Sequence, residues 1–365
     1  MLKIKEVWPI ATATLLAVAA HLGLWVAFWS SSTPIVMGDE FRFARDIFSS
    51  DSNGGSYSNF AFTGFVQLLI GEIENWYSQV KLANSLIWGI ATIPIFFIFR
   101  AMSTPLVSAL GAMFASLLPV SIFSATVLPE IMFYVLVLTG LALFVWARSR
   151  LWMVLTAGGI LGLAMLVKPH AVFVTLALLF TLVVLRLMAV ISYRSLVTQM
   201  ATIVGSAIGV RFGAGFLLFG TEALDFVGDY AAMSSKSIDL PQQLSALGPS
   251  GTSASAEGSY SLVSLFLEVG GPHLLHYAVA FGVVYLLPVV AVISSLRTQE
   301  MPIRSGLESR LSLSVAMAST ALVLTMVALA FGVYVSLTGD DHSSRVLFRY
   351  VDYLYGPLVF LAILM

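Results

Sequence analysis

Cysteine is absent from this 365-residue sequence, and charged side chains are scarce, at 10% of all residues. The lack of cysteine excludes disulfide bonds, thiolate metal sites and a cysteine nucleophile. The lack of charge excludes an ordinary soluble domain, in which about 25% of residues are charged. Basic residues do not cluster into runs, and the formal net charge is -1. We therefore predict no nucleic-acid partner.

Long apolar stretches take the place of the missing charge. Hydrophobic residues make up 59% of the chain, and its mean hydropathy is +0.95. Windows of about 19 residues, the size used to find helices that cross a bilayer, predict membrane-spanning helices at residues 10–30, 82–99, 104–125, 130–147, 151–167, 171–192, 198–219, 273–296, 311–337 and 351–365. The predicted fold is an all-α integral membrane protein of about ten transmembrane helices, in which residues 1–365 form a single transmembrane domain.

Two of the apolar segments are short, whereas a helix needs about 20 apolar residues to cross the hydrocarbon core. Residues 60–73 are predicted to form a helix that lies in the membrane interface. If this helix crosses the bilayer instead, every later segment changes its orientation. Residues 351–365 barely reach the required length, so we expect the natural chain to continue beyond Met365.

The positions of the charges predict the orientation. Short loops that carry Arg100, Arg150 and Arg304 fall on the same side as the N-terminus, which the positive-inside rule places in the cytoplasm. The long loops, 30–81 and 220–272, are then on the outer side. The few acidic residues that remain inside, out of 19, are Glu6, Glu300 and Glu308. We therefore expect a multi-pass protein whose outer face uses carboxylates.

Two acidic positions are candidates for chemistry. Asp39 and Glu40 follow the first helix on the outer side, where adjacent carboxylates suit a wet cavity and one of them can act as a base or a metal ligand. The alternative is that Asp39 caps a short helix over 40–48. Glu130 follows Pro129 in a very short outer turn. At that depth it should pair with a cation or a donor, or it caps the helix that follows.

The outer side also offers cations near the membrane. Lys168, Pro169 and His170 form a short turn between two apolar helices. A lysine at that depth costs about 2.5–3.5 kcal/mol unless it meets an anion or extends to the interface. Such a turn suits a phosphate. His21, within the first helix, is predicted to be a hydrogen-bonded interior group.

A second basic group precedes the last segment. Arg345 and Arg349 are spaced i, i+4, so on a helix both would project from one face, and Tyr350 follows directly. Guanidinium groups bind phosphate oxygens in pairs. Basic residues on the cytoplasmic side would only mark topology, but these two fall on the outer side. They are therefore candidates for phosphate binding.

This arrangement resembles the C-type (GT-C) glycosyltransferases that depend on polyprenyl phosphate, a superfamily that includes protein mannosyltransferases and lipid A aminoarabinose transferases. The resemblance is carried by Asp39-Glu40 after the first helix, Glu130 in the second outer loop, the stretch 162–169 and Arg349-Tyr350 before a late helix. It implies a many-helix bundle whose first outer loop holds interface helices, here 40–48 and 60–73. Members of the superfamily often carry a soluble C-terminal domain or further helices, whereas this sequence ends at its tenth predicted segment.

The resemblance also implies an activity. Such enzymes move a sugar, here a hexosyl or pentosyl group, from a polyprenyl-phosphate donor to a glycan, lipid or protein acceptor at the non-cytoplasmic face, usually with inversion. Asp39 would be the general base, Glu40 would orient the acceptor or bind a divalent cation (Mg or Mn), and Glu130 would help to position the substrate. The lipid phosphate would meet Lys168, His170, Arg345, Arg349 and Tyr350. We expect a bacterial plasma membrane as the location.

Other functions stay open at this point. A transporter or flippase of lipid-linked or anionic substrates needs charged residues inside its spans and broken helices, and Arg211 is the clear candidate of that kind. An O-antigen ligase or polymerase depends on basic residues in a large late outer loop, whereas the loop 220–272 contains Lys236 as its basic residue. A purely structural membrane subunit leaves the acidic outer face unexplained.

Overall fold

The computed structural model describes residues 4–30, 59–70, 75–101, 103–117, 123–147, 150–226, 315, 316 and 320. Every regular element in this part of the chain is helical, which confirms the all-α prediction there. The predicted interface helix 40–48 and the predicted spans 273–296 and 351–365 lie outside the described residues. So does nearly all of 311–337.

The described part of the chain forms ten α-helices. They are α1 (Ile4–Leu24, extended by a π-helical turn, Trp25–Trp29), α2 (Phe60–Ile70), α3 (Trp76–Ile90), α4 (Thr92–Arg100), α5 (Pro105–Ser116), α6 (Glu130–Ala147), α7 (Leu151–Val167), α8 (Ala171–Leu187), α9 (Tyr193–Ile208) and α10 (Gly215–Phe219). A π-helical segment, Gly209–Ala214, joins α9 to α10, and a 3-10 turn, Gly220–Leu224, follows α10.

Four stretches in the described part are long and apolar enough to cross a membrane: Val7–Trp29, Trp76–Arg100, Glu130–Ala147 and Tyr193–Leu224. The helices α5, α7 and α8 are apolar but shorter. The apolar helices make this a membrane protein, as predicted. The bounds of α6 and α7 agree with the predicted segments 130–147 and 151–167.

Several helix bounds differ from the prediction: α1 begins at Ile4 rather than at residue 10, α8 ends at Leu187 rather than at 192, and α9 begins at Tyr193 rather than at 198. Helix α3 begins at Trp76 rather than at residue 82, because the polar residues of its first turns, including Lys81, are packed inside the protein instead of lying in a loop. Helix α5 ends at Ser116 rather than near residue 125. Pro119 follows shortly after, and a helix usually ends at or before the residue preceding a proline.

Buried polar side chains fix the end of α5 and the turn before α6. The backbone oxygen of Ser116 accepts hydrogen bonds from Trp88 Nε1 at 2.7 Å and from His21 Nε2 at 3.0 Å. Asn84 Nδ2 donates to the backbone oxygen of Thr126 at 2.8 Å. These bonds satisfy carbonyls that a helix end or a turn leaves unpaired. They also confirm that His21 is a hydrogen-bonded interior group.

Small residues bring α7 close to α9. Gly158 and Gly162 lie one turn apart on α7, and both are buried. A Cβ atom added at Gly158 would come within 2.6 Å of the backbone oxygen of Ile203, and one added at Gly162 would collide with the backbone oxygen of Ala207. Membrane helices associate through such small-residue contacts because lipid provides no hydrophobic drive.

We expect the Gly158→Ala variant to be less stable than the native protein by about 1–3 kcal/mol, the usual cost of overpacking a core. The obstacle is backbone, which cannot rotate away. Gly205→Ala is the matched control, because Gly205 lies on α9 with no atom within 4 Å of an added Cβ. Thermal unfolding of both purified variants in detergent tests this. Equal melting temperatures for the two variants would contradict the close α7–α9 contact.

Candidate functional site

Glu130 and Lys168 form an ion pair inside the protein. Lys168 Nζ donates to Glu130 Oε1 at 2.9 Å, and only 2% of Glu130 and 7% of Lys168 is exposed. Charges that leave water are tolerated when they are paired and hydrogen-bonded. The prediction that Glu130 pairs with a cation is confirmed. The cation is Lys168, in the turn between α7 and α8.

Each member of this pair is placed by the end of its own helix. Glu130 is the first residue of α6, where a negative charge is favoured by the helix dipole. Lys168 ends α7 with an extended backbone, φ -154° and ψ 118°, because the residue before a proline avoids the helical region. A positive charge is favoured there. Since α6 and α7 are antiparallel neighbours, the two side chains meet.

His170 lies in the same turn as Lys168, directly before α8. Its ring centroid is 6.3 Å from that of Phe173. Lys168, in the same turn, lies near the Phe133 ring, whose centroid is 5.9 Å from Lys168 Nζ. The structure thus brings together three of the predicted site residues, Glu130, Lys168 and His170. The others lie outside the described residues: Asp39, Glu40, Arg345, Arg349 and Tyr350.

Two further cations are buried at the same end of the bundle, which we call the Glu130 end. Lys81 is 1% exposed, with Nζ 4.5 Å from the Tyr77 ring centroid, and it lies one turn from Asn84, which is bonded to the segment before Glu130. Arg211 is fully buried. Arg211 lies one turn before Gly215. A Cβ atom added at Gly215 would come within 3.0 Å of Leu166 Cδ2, and Leu166 is two residues before Lys168.

Most of the charged side chains that are buried at the Glu130 end, among the described residues, are cations. The Lys, Arg, Asp and Glu residues that are buried in this part of the chain are Lys81, Lys168, Arg211 and Glu130. Glu130 is bonded to Lys168, and Asp225 interacts electrostatically with Arg211. In surroundings of low dielectric constant, fixed cations favour an anionic group.

Sequence reasoning missed Lys81, because it assigned this lysine to the loop 30–81. The signal that could have found it is the helical spacing of four residues, at i, i+4 and i, i+3, which places them on one face: Tyr77, Lys81, Ser85 and Trp88. All four are buried in α3. Polar residues at this spacing beside an apolar run indicate an interior helix face as readily as a loop.

The described residues contain no group of three or more His, Asp and Glu side chains that could hold a metal ion. Glu130, the buried carboxylate in that part of the chain, is bonded to an ammonium group and so does not suit a divalent cation. Asp39 and Glu40, the predicted metal ligands, lie outside the described residues.

The sequence matches no protein-family model and no curated protein. Among solved structures, the chain is similar to an oligosaccharyltransferase of Archaeoglobus fulgidus. The apo form has a TM-score of 0.41 at 14% identity over 98% of this chain and 56% of that chain. A form tethered to an acceptor peptide with the NVT sequon has a TM-score of 0.40 at 12% identity over 99% of this chain and 55% of that chain. A complex with Zn and sulfate has a TM-score of 0.39 at 12% identity over 96% of this chain and 53% of that chain. This chain spans about half the length of the solved structures it matches.

Proposed function

We propose that this protein is a membrane glycosyltransferase of the GT-C type, which moves a sugar from a polyprenyl-phosphate donor to an acceptor hydroxyl at the Glu130 end of the bundle. The observation that carries the proposal is the buried Glu130–Lys168 ion pair, with Lys81 buried at the same end. We place this end at the non-cytoplasmic face of a bacterial plasma membrane, following the charge distribution of the loops.

The chemistry explains why cations belong there. When the bond between the anomeric carbon and the phosphate oxygen breaks, the electron pair stays on the phosphate, whose negative charge grows. Fixed cations in a water-poor site stabilise such charge most effectively. Glu130 holds the Lys168 ammonium in one direction, so this cation needs little reorganisation when the donor arrives. In our proposal the role of Glu130 is thus to hold Lys168 in the direction of the phosphate.

The other half of the reaction activates the acceptor. In our proposal Asp39 accepts the proton of the acceptor hydroxyl, while the hydroxyl oxygen bonds to the anomeric carbon on the face opposite the departing phosphate, with inversion. Glu40 orients the acceptor, and these two residues would also hold Mg or Mn. No step of this reaction is routed through such a metal. The phosphate is further bound by His170 and by a late basic group, Arg345, Arg349 and Tyr350.

A transporter or flippase of lipid-linked substrates is the second candidate function, and one observation favours it. Arg211 is fully buried in a π-helical segment, Gly209–Ala214, which interrupts the apolar stretch Tyr193–Leu224. A buried charge in an interrupted span is typical of transporters. The guanidinium nitrogens, however, donate to backbone oxygens near the end of that stretch, which gives Arg211 a structural partner.

One experiment separates the two functions. The purified full-length chain is placed in proteoliposomes with radiolabelled polyprenyl-phosphate sugars and a membrane extract as acceptor source. We expect the label to leave the donor lipid and to appear in a product that chromatography separates from the donor, whereas protein-free liposomes give none. If the label stays on the lipid but crosses the bilayer, the protein is a transporter and the proposed reaction is wrong.

A further inference from the structure

Arg211 uses its buried guanidinium group to hold a turn of its own segment. Nη1 donates to the backbone oxygen of Ala223, and Nη2 donates to that of Asp225 at 3.0 Å. A guanidinium group can serve two carbonyls in this way because its donors form a rigid planar fork. The ammonium group of a lysine has no such fork. The side chain thus ties the residues after α10 to the helical span.

The turn itself depends on a glycine. Gly220 follows α10 with φ +73° and ψ -159°, a region that only glycine adopts without strain. It lets the chain leave α10 and return the Ala223 carbonyl to Arg211. A Cβ added at Gly220 would meet no atom within 4 Å. The requirement for glycine is therefore one of backbone conformation, not of space.

Aromatic rings from two parts of the chain surround the same guanidinium group. Its Cζ atom lies 5.3 Å from the ring centroid of Phe212, 5.5 Å from that of Phe226 and 5.8 Å from that of Phe60. These distances suit cation–π contacts. Phe212 and Phe226 belong to the region of Arg211 itself, whereas Phe60 is the first residue of α2 and lies far away in the sequence.

A second contact joins α2 to the same place. The rings of Phe60 and Phe219 are 6.0 Å apart, and a Cβ added at Gly64 would come within 2.9 Å of Phe219 Cε1. Helix α2 lies between α1 and α3, and the turn Gly220–Leu224 follows α10. These two elements therefore meet at Arg211.

We infer that Arg211 is a positioning residue that docks α2 and the turn Gly220–Leu224 on the bundle together, beside the Glu130 end. When Arg211 is replaced, α2 spends time undocked. A site that is complete only in the docked form then binds its ligand more weakly, in proportion to the docked fraction. This effect on the donor rests on the proposed function, whereas the docking itself does not.

Thiol crosslinking tests the docking directly, since the native chain has no cysteine. We would introduce Gly64→Cys with Phe219→Cys, where removal of the Phe219 ring leaves room for the new side chain, and follow the initial rate with a short homobifunctional thiol reagent. We expect Arg211→Met to slow crosslinking about tenfold, which corresponds to a docked fraction of about one tenth, because the rate follows that fraction. Arg211→Lys should fall between Arg211→Met and the native residue.

Two glycine variants provide the matched comparison. Gly220→Ala should slow crosslinking as Arg211→Met does, because it strains the turn that Arg211 holds. Gly213→Ala should not slow crosslinking. Gly213 lies in the same helical stretch, an added Cβ there meets no atom within 4 Å, and its φ is not positive. Native crosslinking rates in Arg211→Met, or equal rates in the two alanine variants, would overturn the inference. If Arg211→Met fails to fold, Arg211→Lys and Gly220→Ala carry the same test.

Transfer kinetics supply the functional readout. We expect Arg211→Lys to raise the KM for the polyprenyl-phosphate donor and to retain kcat, because saturating donor restores the docked form. A loss of kcat at unchanged KM would contradict the positioning role. If crosslinking slows as expected but the native chain shows no transfer, the docking role of Arg211 stands and the proposed function fails.

Discussion

Lys168→Met is expected to destabilise the protein by about 3–5 kcal/mol, because it leaves a buried carboxylate without its cation. The Glu130→Gln/Lys168→Met double variant should recover most of that loss, since two neutral side chains replace the pair without a stranded charge. Thermal unfolding in detergent measures both. Arg194→Gln is the control, because Arg194 is an exposed cation near the start of α9, and it should unfold like the native protein.

Transfer activity should stay low in the double variant although its stability recovers. In the double variant the fold is restored but the cation for the departing phosphate is gone, so we expect turnover to fall about 10²–10³-fold, the effect of removing one preorganised donor from a site where charge develops. Native turnover in a stable double variant would show that the pair serves the fold alone. Recovered stability with lost transfer would show that it serves both.

The second large effect is expected at Asp39. Asp39→Asn keeps the size and one oxygen of the side chain but removes the base, so transfer should fall about 10²–10⁴-fold, the usual contribution of general base catalysis. Asp51→Asn removes a carboxylate from the same predicted loop and serves as the control. Initial rates at saturating donor measure both variants. Transfer by Asp39→Asn at the rate of Asp51→Asn would exclude Asp39 as the base.

The helices were predictable where apolar runs end at clear signals. Helix α6 begins after Pro129, and α7 ends before Lys168-Pro169, so composition and proline chemistry set these bounds without help from the rest of the fold. Helix α3 was placed too late, because Lys81 lowers the local hydropathy although it is buried. Hydropathy reports the average polarity of a window, whereas burial depends on which face of the helix meets a neighbour.

The candidate site was predictable residue by residue but not as a set of contacts. Depth near the membrane indicated that Glu130 needs a cation and that Lys168 needs an anion. The two lie 38 residues apart in the sequence, and only the antiparallel packing of α6 on α7 shows that they satisfy each other. Arg211 was identified as a charge inside a span, whereas its contacts with the distant Phe60 ring depend on tertiary structure alone.

The measurement that tests the account most directly is sugar transfer from a radiolabelled polyprenyl phosphate by the purified full-length chain, compared with the Glu130→Gln/Lys168→Met variant of equal stability. We predict that the native chain moves the label to an acceptor and that the variant is slower by at least about two orders of magnitude. A stable variant that transfers at the native rate, or a native chain that transfers from no lipid donor, would contradict the account.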